Sequence, residues 1–197
     1  MKPYADAAEE NKTVVLPVLD PLLKDVDRVL EIGSGTGQQI VYFAGQHPQI
    51  NWQASDLEEN IPGIRLWIEE AGLPNLNPPI ALNVAQNPWP LEPVPFIYTS
   101  NTLHIMSARH VELFFANLEQ ALQRDAYLCV YGPFSFNGRH ISESNQRFDA
   151  FLKQRDPLSG IRDVEDLKRF AEKGGVQLDD MVALPHNNHM LIWRKAG

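Results

Sequence analysis

The stretch Val29-Leu30-Glu31-Ile32-Gly33-Ser34-Gly35-Thr36-Gly37 decides the fold. An apolar run meets three glycines at alternate positions, and a helix-like segment follows. The pattern predicts a short buried strand, a tight turn and a helix start. Glycine suits a turn whose backbone takes positive φ or lies against a ligand, because a Cβ would clash there. Free N–H groups in the first turn of the following helix can hydrogen-bond an anionic or polar ligand. The stretch is therefore a candidate site for a nucleotide-type cofactor.

Spacing narrows the choice. Dinucleotide-binding turns carry G-x-G-x-x-G, with the third glycine three residues after the second. Here Gly37 follows Gly35 by two, giving E-x-G-x-G-x-G. That pattern resembles motif I of the S-adenosylmethionine-dependent methyltransferases, with Glu31 as the acid ahead of the loop. The expected cofactor is S-adenosylmethionine, held by Glu31 and by Gly33, Ser34, Gly35, Thr36 and Gly37.

Working outward, Trp52 to Ser55 reads as a second strand ending on Asp56. It lies about twenty residues past the loop, where such folds offer a carboxylate to ribose hydroxyls; a carboxylate can accept both hydrogen bonds of a diol. A third strand, Ile80 to Val84, ends on Asn83-Val84, where many methyltransferases set an acid or amide against adenine. A fourth, Val94 to Thr99, runs into Ser100-Asn101-Thr102-Leu103-His104. Ligands of open α/β sheets lie at the carboxyl ends of strands, so Asn101, Leu103 and His104 are expected near the reacting centre. His104 is the candidate general base, because an imidazole ordinarily titrates near pH ~6.5.

The remaining elements follow from periodicity. Residues 6–24 have helical apolar spacing with Pro17 inside, which predicts a kink or break there. Their patch Glu9-Glu10-Asn11-Lys12 reads as a solvated helix face. Val26–Ile32 forms the first strand, and helices run from Gly37 to about Gln46, from Pro62 to Ala71 and from Ala108 to Gln123. Ala126–Tyr131 is a fifth strand opening into an insertion from Gly132 to His140. A helix carrying Phe148, Phe151 and Leu152 follows, then a helix with Asp163 as N-cap and Gly174-Gly175 as stop. Two strand-like runs, Gln177–Leu184 and Met190–Trp193, close the chain. The expected class is α/β: a doubly wound, mostly parallel seven-stranded Rossmann-like sheet with an antiparallel C-terminal edge.

Composition sets bounds. At 197 residues and 44% apolar, residues 1–197 fit one domain with a sizeable core. The balance of 17 Lys+Arg against 25 Asp+Glu leaves −8, and there is no basic run, so nucleic acid is not an expected partner. Cys129, the sole cysteine, sits in an apolar run and reads as a buried reduced thiol. The opening Met1-Lys2-Pro3-Tyr4-Ala5-Asp6 lacks the apolar core of a secretion signal, and no run approaches a membrane span; a cytoplasmic protein without membrane partners is expected. His186 and His189 have no further ligand at metal spacing, so no metal is expected. Asn77-Pro78-Pro79-Ile80 resembles the N-P-P-aromatic motif of amino-group methyltransferases, but precedes the third strand and ends in Ile; it reads as a turn. Nothing in the sequence speaks to oligomeric state.

The resemblance extends beyond the cofactor motif. Ala7-Ala8-Glu9-Glu10-Asn11-Lys12, Leu30 to Gln38, Trp52-Gln53-Ala54-Ser55-Asp56 and Tyr131-Gly132-Pro133-Phe134 resemble the methyltransferase-like 26 family, domain of unknown function 938. So do Ser142-Glu143-Ser144-Asn145 with Phe148-Asp149, Gly160-Ile161-Arg162-Asp163 and Leu184-Pro185-His186-Asn187-Asn188. The resemblance implies a class I methyltransferase fold and S-adenosylmethionine-dependent activity, without supplying a substrate. Two positions depart from the family pattern: Asn83 stands where many members have Asp, and His186 where a small residue is common. The polar residues Tyr131, Asn137, Arg139, Asn145, Asp149, Arg162 and Asn188, in and after the insertion, suggest a pocket for a small polar acceptor. Two other readings stay open: an NAD(P)-dependent oxidoreductase, which Asp56 would serve equally well, and a non-catalytic S-adenosylmethionine-binding sensor or scaffold.

Overall fold

The structure is a computed structural model that describes residues 2–197. Strand β1, Arg28–Ile32, is buried from Val29 onward. It pairs in parallel with β2, Asn51–Asp56, on one side and with β4, Val94–Ser100, on the other. Strand β3, Ile80–Ala81, adds to β2, and β5, Leu122–Phe136, adds to β4, both in parallel. Beyond β5 the direction reverses: β9, Asn188–Lys195, runs antiparallel to β5, and β8, Val176–Leu184, antiparallel to β9. The order is β3-β2-β1-β4-β5-β9-β8, and the sheet is of the doubly wound class with an antiparallel edge that alternation predicts. Short strands β6, Arg139–His140, and β7, Arg162–Asp163, pair with the far end of β5.

The chain leaves β1 toward β2 and β3, then crosses back to place β4 on the other side of β1. Crevices at such reversals, outside the carboxyl ends of the strands, are where ligands of open α/β sheets sit.

Side chains alternate between the faces of each strand and build two cores. Phe96, Tyr98, Cys129 and Tyr131 join helices α1 (Asp6–Leu19), α2 (Gln38–Gln46) and α3 (Ile61–Ala71) around Phe43 and Trp52. Ile97, Leu128, Val130 and Trp193 face the other way, against α4 (Ala108–Ala121) and α6 (Val164–Lys173), around Phe114 and Phe115. Helix α5, Glu143–Arg155, buries only Asn145, Asp149 and Leu152 and packs beside β6. Its N-cap is Ser142, whose hydroxyl accepts the Asn145 N–H, and Asp163 caps α6 by accepting from Glu165.

Several boundaries differ from expectation. Helix α1 carries Pro17 in its last turn and stops at Leu19; the chain from 20 to 24 forms turns. Strand β3 ends at Ala81, because Asn83 folds into a local turn, its Oδ1 accepting the Ala85 N–H at 2.9 Å. Helix α4 ends at Ala121 and passes directly into β5, which runs through Gly132-Pro133 to Phe136. The ladder with β9 continues to Pro133 opposite Asn188, so these residues do not end the strand. The Glu9–Lys12 patch is not wholly solvated, since Asn11 is buried. No helix among the described residues is long and apolar enough to cross a membrane.

Candidate cofactor and acceptor cavity

The three loop glycines do different things. All have positive φ, at 71°, 58° and 89° for Gly33, Gly35 and Gly37. A Cβ on Gly33 would strike the Thr102 side chain at 2.6 Å, so this glycine lets the loop lie against the end of β4. A Cβ on Gly35 would meet nothing within 4 Å; only its backbone conformation requires glycine. A Cβ on Gly37 would press on Ile64 at 3.2 Å, so this glycine permits close packing of α2 on α3.

The loop is tied to the end of β2. Gly33 and Ser34 both donate their N–H groups to the Ser55 carbonyl, at 2.9 and 3.0 Å. Gly35 donates to Asp56 Oδ2 at 2.7 Å, while Asp56 Oδ1 accepts from the Leu57 N–H and from Asn60 Nδ2, at 2.7 and 2.8 Å. Asp56 Oδ1 is thereby filled, and Oδ2 can accept one further hydrogen bond.

At the carboxyl ends of β1 to β4 lies a cavity of about 1050 Å³. Its walls carry Glu31, Gly33, Ser34, Gly35 and Thr36 from the β1 loop, Asp56 from β2, Asn83 and Val84 from the chain after β3, and Asn101 after β4. Glu31 is 2% exposed, and its Oε2 has no hydrogen-bond partner among the described residues. Burial, reinforced by the nearby Asp56 charge, pushes its pKa up to about 7, against the Ser34 hydroxyl, which pulls it down. A buried acceptor without a donor is costly unless a ligand supplies one.

Other expected site residues lie elsewhere. Gly37 faces α3, and Leu103 is packed in the core beside α4. His104 is buried with its ring edge-on to Phe148, 5.3 Å between centroids, and is not part of the cavity wall. Burial and the neighbouring Arg162 charge lower its pKa to about 4. It is therefore not placed to take a proton from a ligand in the cavity.

The expected acceptor residues do not line the cavity either. Five of them are engaged elsewhere in the fold, and two are exposed. Tyr131 donates its hydroxyl to Asn11 Oδ1 and accepts from Asn188 Nδ2, both at 2.9 Å, which ties α1 to β5 and β9. Asn145 reaches the Asn187 carbonyl, and Asp149 accepts from the Ile161 N–H at 2.8 Å while pairing with Lys153 at 2.6 Å. Arg162 donates to the carbonyls of Leu103, Met106 and Leu158. Asn137 and Arg139 are exposed in the β5–β6 hairpin. The reason is physical for the five that are buried or half-buried: such polar side chains need partners, and these have found them within the fold.

Two walls escape the sequence reading. The first is an N-terminal strap, in which Pro3, Ala5, Ala7 and Ala8 face the cavity. The Ala5 N–H donates to Gln38 Oε1 at 2.7 Å, Gln38 Nε2 donates to Glu9, and Trp67 Nε1 donates to the Pro3 carbonyl at 2.7 Å. The second lies beyond Asn101-Thr102: Ile105, Met106, Ser107, Arg109 and His110, facing Asp156 and Leu158. The polar residues Glu9 and Gln38 hinted at the strap only through a contact spanning 29 positions, which no local pattern reveals.

A family model described as "Protein of unknown function (DUF938)" matches residues 2–195. Among solved structures, the S-adenosylmethionine-dependent methyltransferase SibL in its apo form is similar at TM-score 0.78 and 19% identity, covering 96% of this chain and 56% of that one. A putative O-methyltransferase from Nostoc punctiforme PCC 73102 is similar at TM-score 0.81 and 13% identity, covering 94% and 56%. An O-methyltransferase family 2 protein from Planctomyces limnophilus DSM 3776, in complex with apigenin, is similar at TM-score 0.75 and 14% identity, covering 98% and 62%. The chain thus spans little more than half the length of these structures. At such identities the likeness establishes the Rossmann-like methyltransferase fold and nothing finer.

Proposed function

The chain belongs to the DUF938 family, and from that premise we propose that it is an S-adenosylmethionine-dependent methyltransferase of the methyltransferase-like 26 type. The observation that carries the reading is the unpartnered Glu31 carboxyl oxygen beside Asp56 on the wall of the cavity. A buried acceptor there fits a cofactor that brings its own cationic donor, the ammonium of its methionine part. Asp56 Oδ2 has acceptor capacity left for a ribose hydroxyl. Leu82, Asn83 and Val84 would flank the adenine, and Asn101 with Thr102 the sulfonium side.

When bound, S-adenosylmethionine supplies a methyl group on a positively charged sulfur that leaves as a neutral thioether. The protein's own contribution is to hold a nucleophile in line and to keep water out, the strap forming one cover of the cavity. For an acceptor that carries a proton, His110 is the imidazole on the cavity wall, and takes the role expected of His104.

Thermal unfolding with and without S-adenosylhomocysteine tests the reading. Ligand at a hundredfold its Kd adds about 2.7 kcal/mol, which for a chain of this size raises Tm by roughly 5–10 °C. No shift for either S-adenosylmethionine or its demethylated product would overturn it.

A further inference from the structure

We propose that the methyl acceptor is a hydrophobic small molecule whose apolar body lies against Ile105, Met106 and Leu158, with its nucleophilic atom turned toward Asn101-Thr102. This rests on the cofactor assignment above, which leaves the far end of the cavity for the second substrate.

The argument starts from exposure. Ile105 is 52% exposed and Leu158 65%, yet both stand in a cavity wall rather than on a convex surface. Large apolar side chains held open to water cost roughly 25 cal/mol per Å², and such patches mark binding surfaces.

This wall is also held in place. Arg162 donates to the carbonyls of Met106 and Leu158, Ser159 Oγ donates to the Ile105 carbonyl at 2.9 Å, and the Gly160 N–H donates to the His104 carbonyl at 2.9 Å. Backbone fastened on both sides presents the apolar side chains without an ordering cost on binding.

Most of the polar groups at this end have one bond within the fold, and the His110 imidazole remains for the acceptor's proton. Ser107 Oγ accepts the His110 N–H at 3.1 Å, Arg109 is paired with Glu112 at 2.7 Å, and Asp156 Oδ1 accepts the Leu158 N–H at 2.9 Å. The strap contributes Pro3 and alanines to the cavity wall. A site with a three-residue apolar wall and a few polar groups beside it holds its ligand by apolar contact and orients it by the polar groups.

The test uses 2-naphthol, a fused-ring hydrocarbon with one hydroxyl, titrated by fluorescence into the full chain at saturating S-adenosylhomocysteine. S-adenosylhomocysteine binding is followed by calorimetry in parallel. The expected result is saturable binding weakened at least tenfold by Leu158→Asp, retained in Leu158→Met, and unchanged in Phe151→Ser on α5 outside the cavity. Leu158 is exposed enough for both of its substitutions to fold. If S-adenosylhomocysteine binds but 2-naphthol does not saturate, or Leu158→Asp leaves its affinity intact, the acceptor assignment is overturned and the cofactor reading stands. If S-adenosylhomocysteine fails to bind, both fall.

Discussion

Burial leaves the Glu31 carboxyl with an unpartnered oxygen and a pKa raised from 4.5 to about 7, so the ligand-free fold carries a pH-dependent strain. The folded state holds the proton more tightly than the unfolded chain. The contribution of the neutral acid is therefore full below pH ~4.5 and is lost as pH rises to about 7, a difference of about 3 kcal/mol. Urea denaturation of ligand-free Glu31→Gln should match wild type below pH ~4.5 and exceed it by about 3 kcal/mol above pH ~7. The glycines make a second pair of expectations. Gly35→Ala meets open space and pays only for its left-handed backbone, about 1–2 kcal/mol. Gly37→Ala adds pressure on Ile64 and should cost about 2–4 kcal/mol by the same measurement. Affinity for S-adenosylhomocysteine should rank the other way, since Gly35 lines the cavity and Gly37 does not. The motif spacing made the loop, Glu31 and Asp56 legible because they lie close together in the chain. It could not tell which glycine faces a ligand and which faces a helix, because that depends on where α3 packs.

At the scale of elements, two fastenings shape the cavity from outside it. The strap hangs on Gln38, which engages Ala5, Thr36 and Glu9 at once. Gln38→Ala should cost about 2–3 kcal/mol and speed amide hydrogen exchange at residues 3–9, while exchange in β4 and β5 stays slow. Arg162 clamps the turn after β4 to the chain before β7. Arg162→Ala should lower stability by about 3 kcal/mol. Arg162→Lys should not restore it, because an ammonium lacks the planar fork that reaches several carbonyls. Exchange at residues 103–106 reports the loosening in both. Neither fastening was legible in the sequence. Helices and strands announce themselves by period, and the caps Ser142 and Asp163 by their position ahead of one. A side chain spent on a distant carbonyl leaves no local pattern, so Arg162 and Tyr131 looked available for a substrate. Likewise the sequence did not show that His186 sits at φ 60°, a left-handed position that glycine adopts most easily and that His adopts more readily than most other types.

Across the whole molecule, the mostly parallel sheet with its antiparallel edge was the most legible feature, because strands buried on both faces read as apolar runs between helical stripes. What the runs could not give was extent: β5 continues through Gly132-Pro133 and carries two short strands on its far end. The polar insertion that follows lies outside the cavity wall, which carries Ile105, Met106 and Leu158 instead. Everything in the account depends on what fills the opposite end, between Glu31 and Asp56. The direct measurement is isothermal titration calorimetry of the full chain with S-adenosylmethionine, S-adenosylhomocysteine and NADH, repeated on Asp56→Ala. Saturable heat with the first two ligands, weakened at least tenfold in Asp56→Ala and absent with NADH, is the predicted result. Saturation by NADH without heat from either S-adenosyl compound would contradict it.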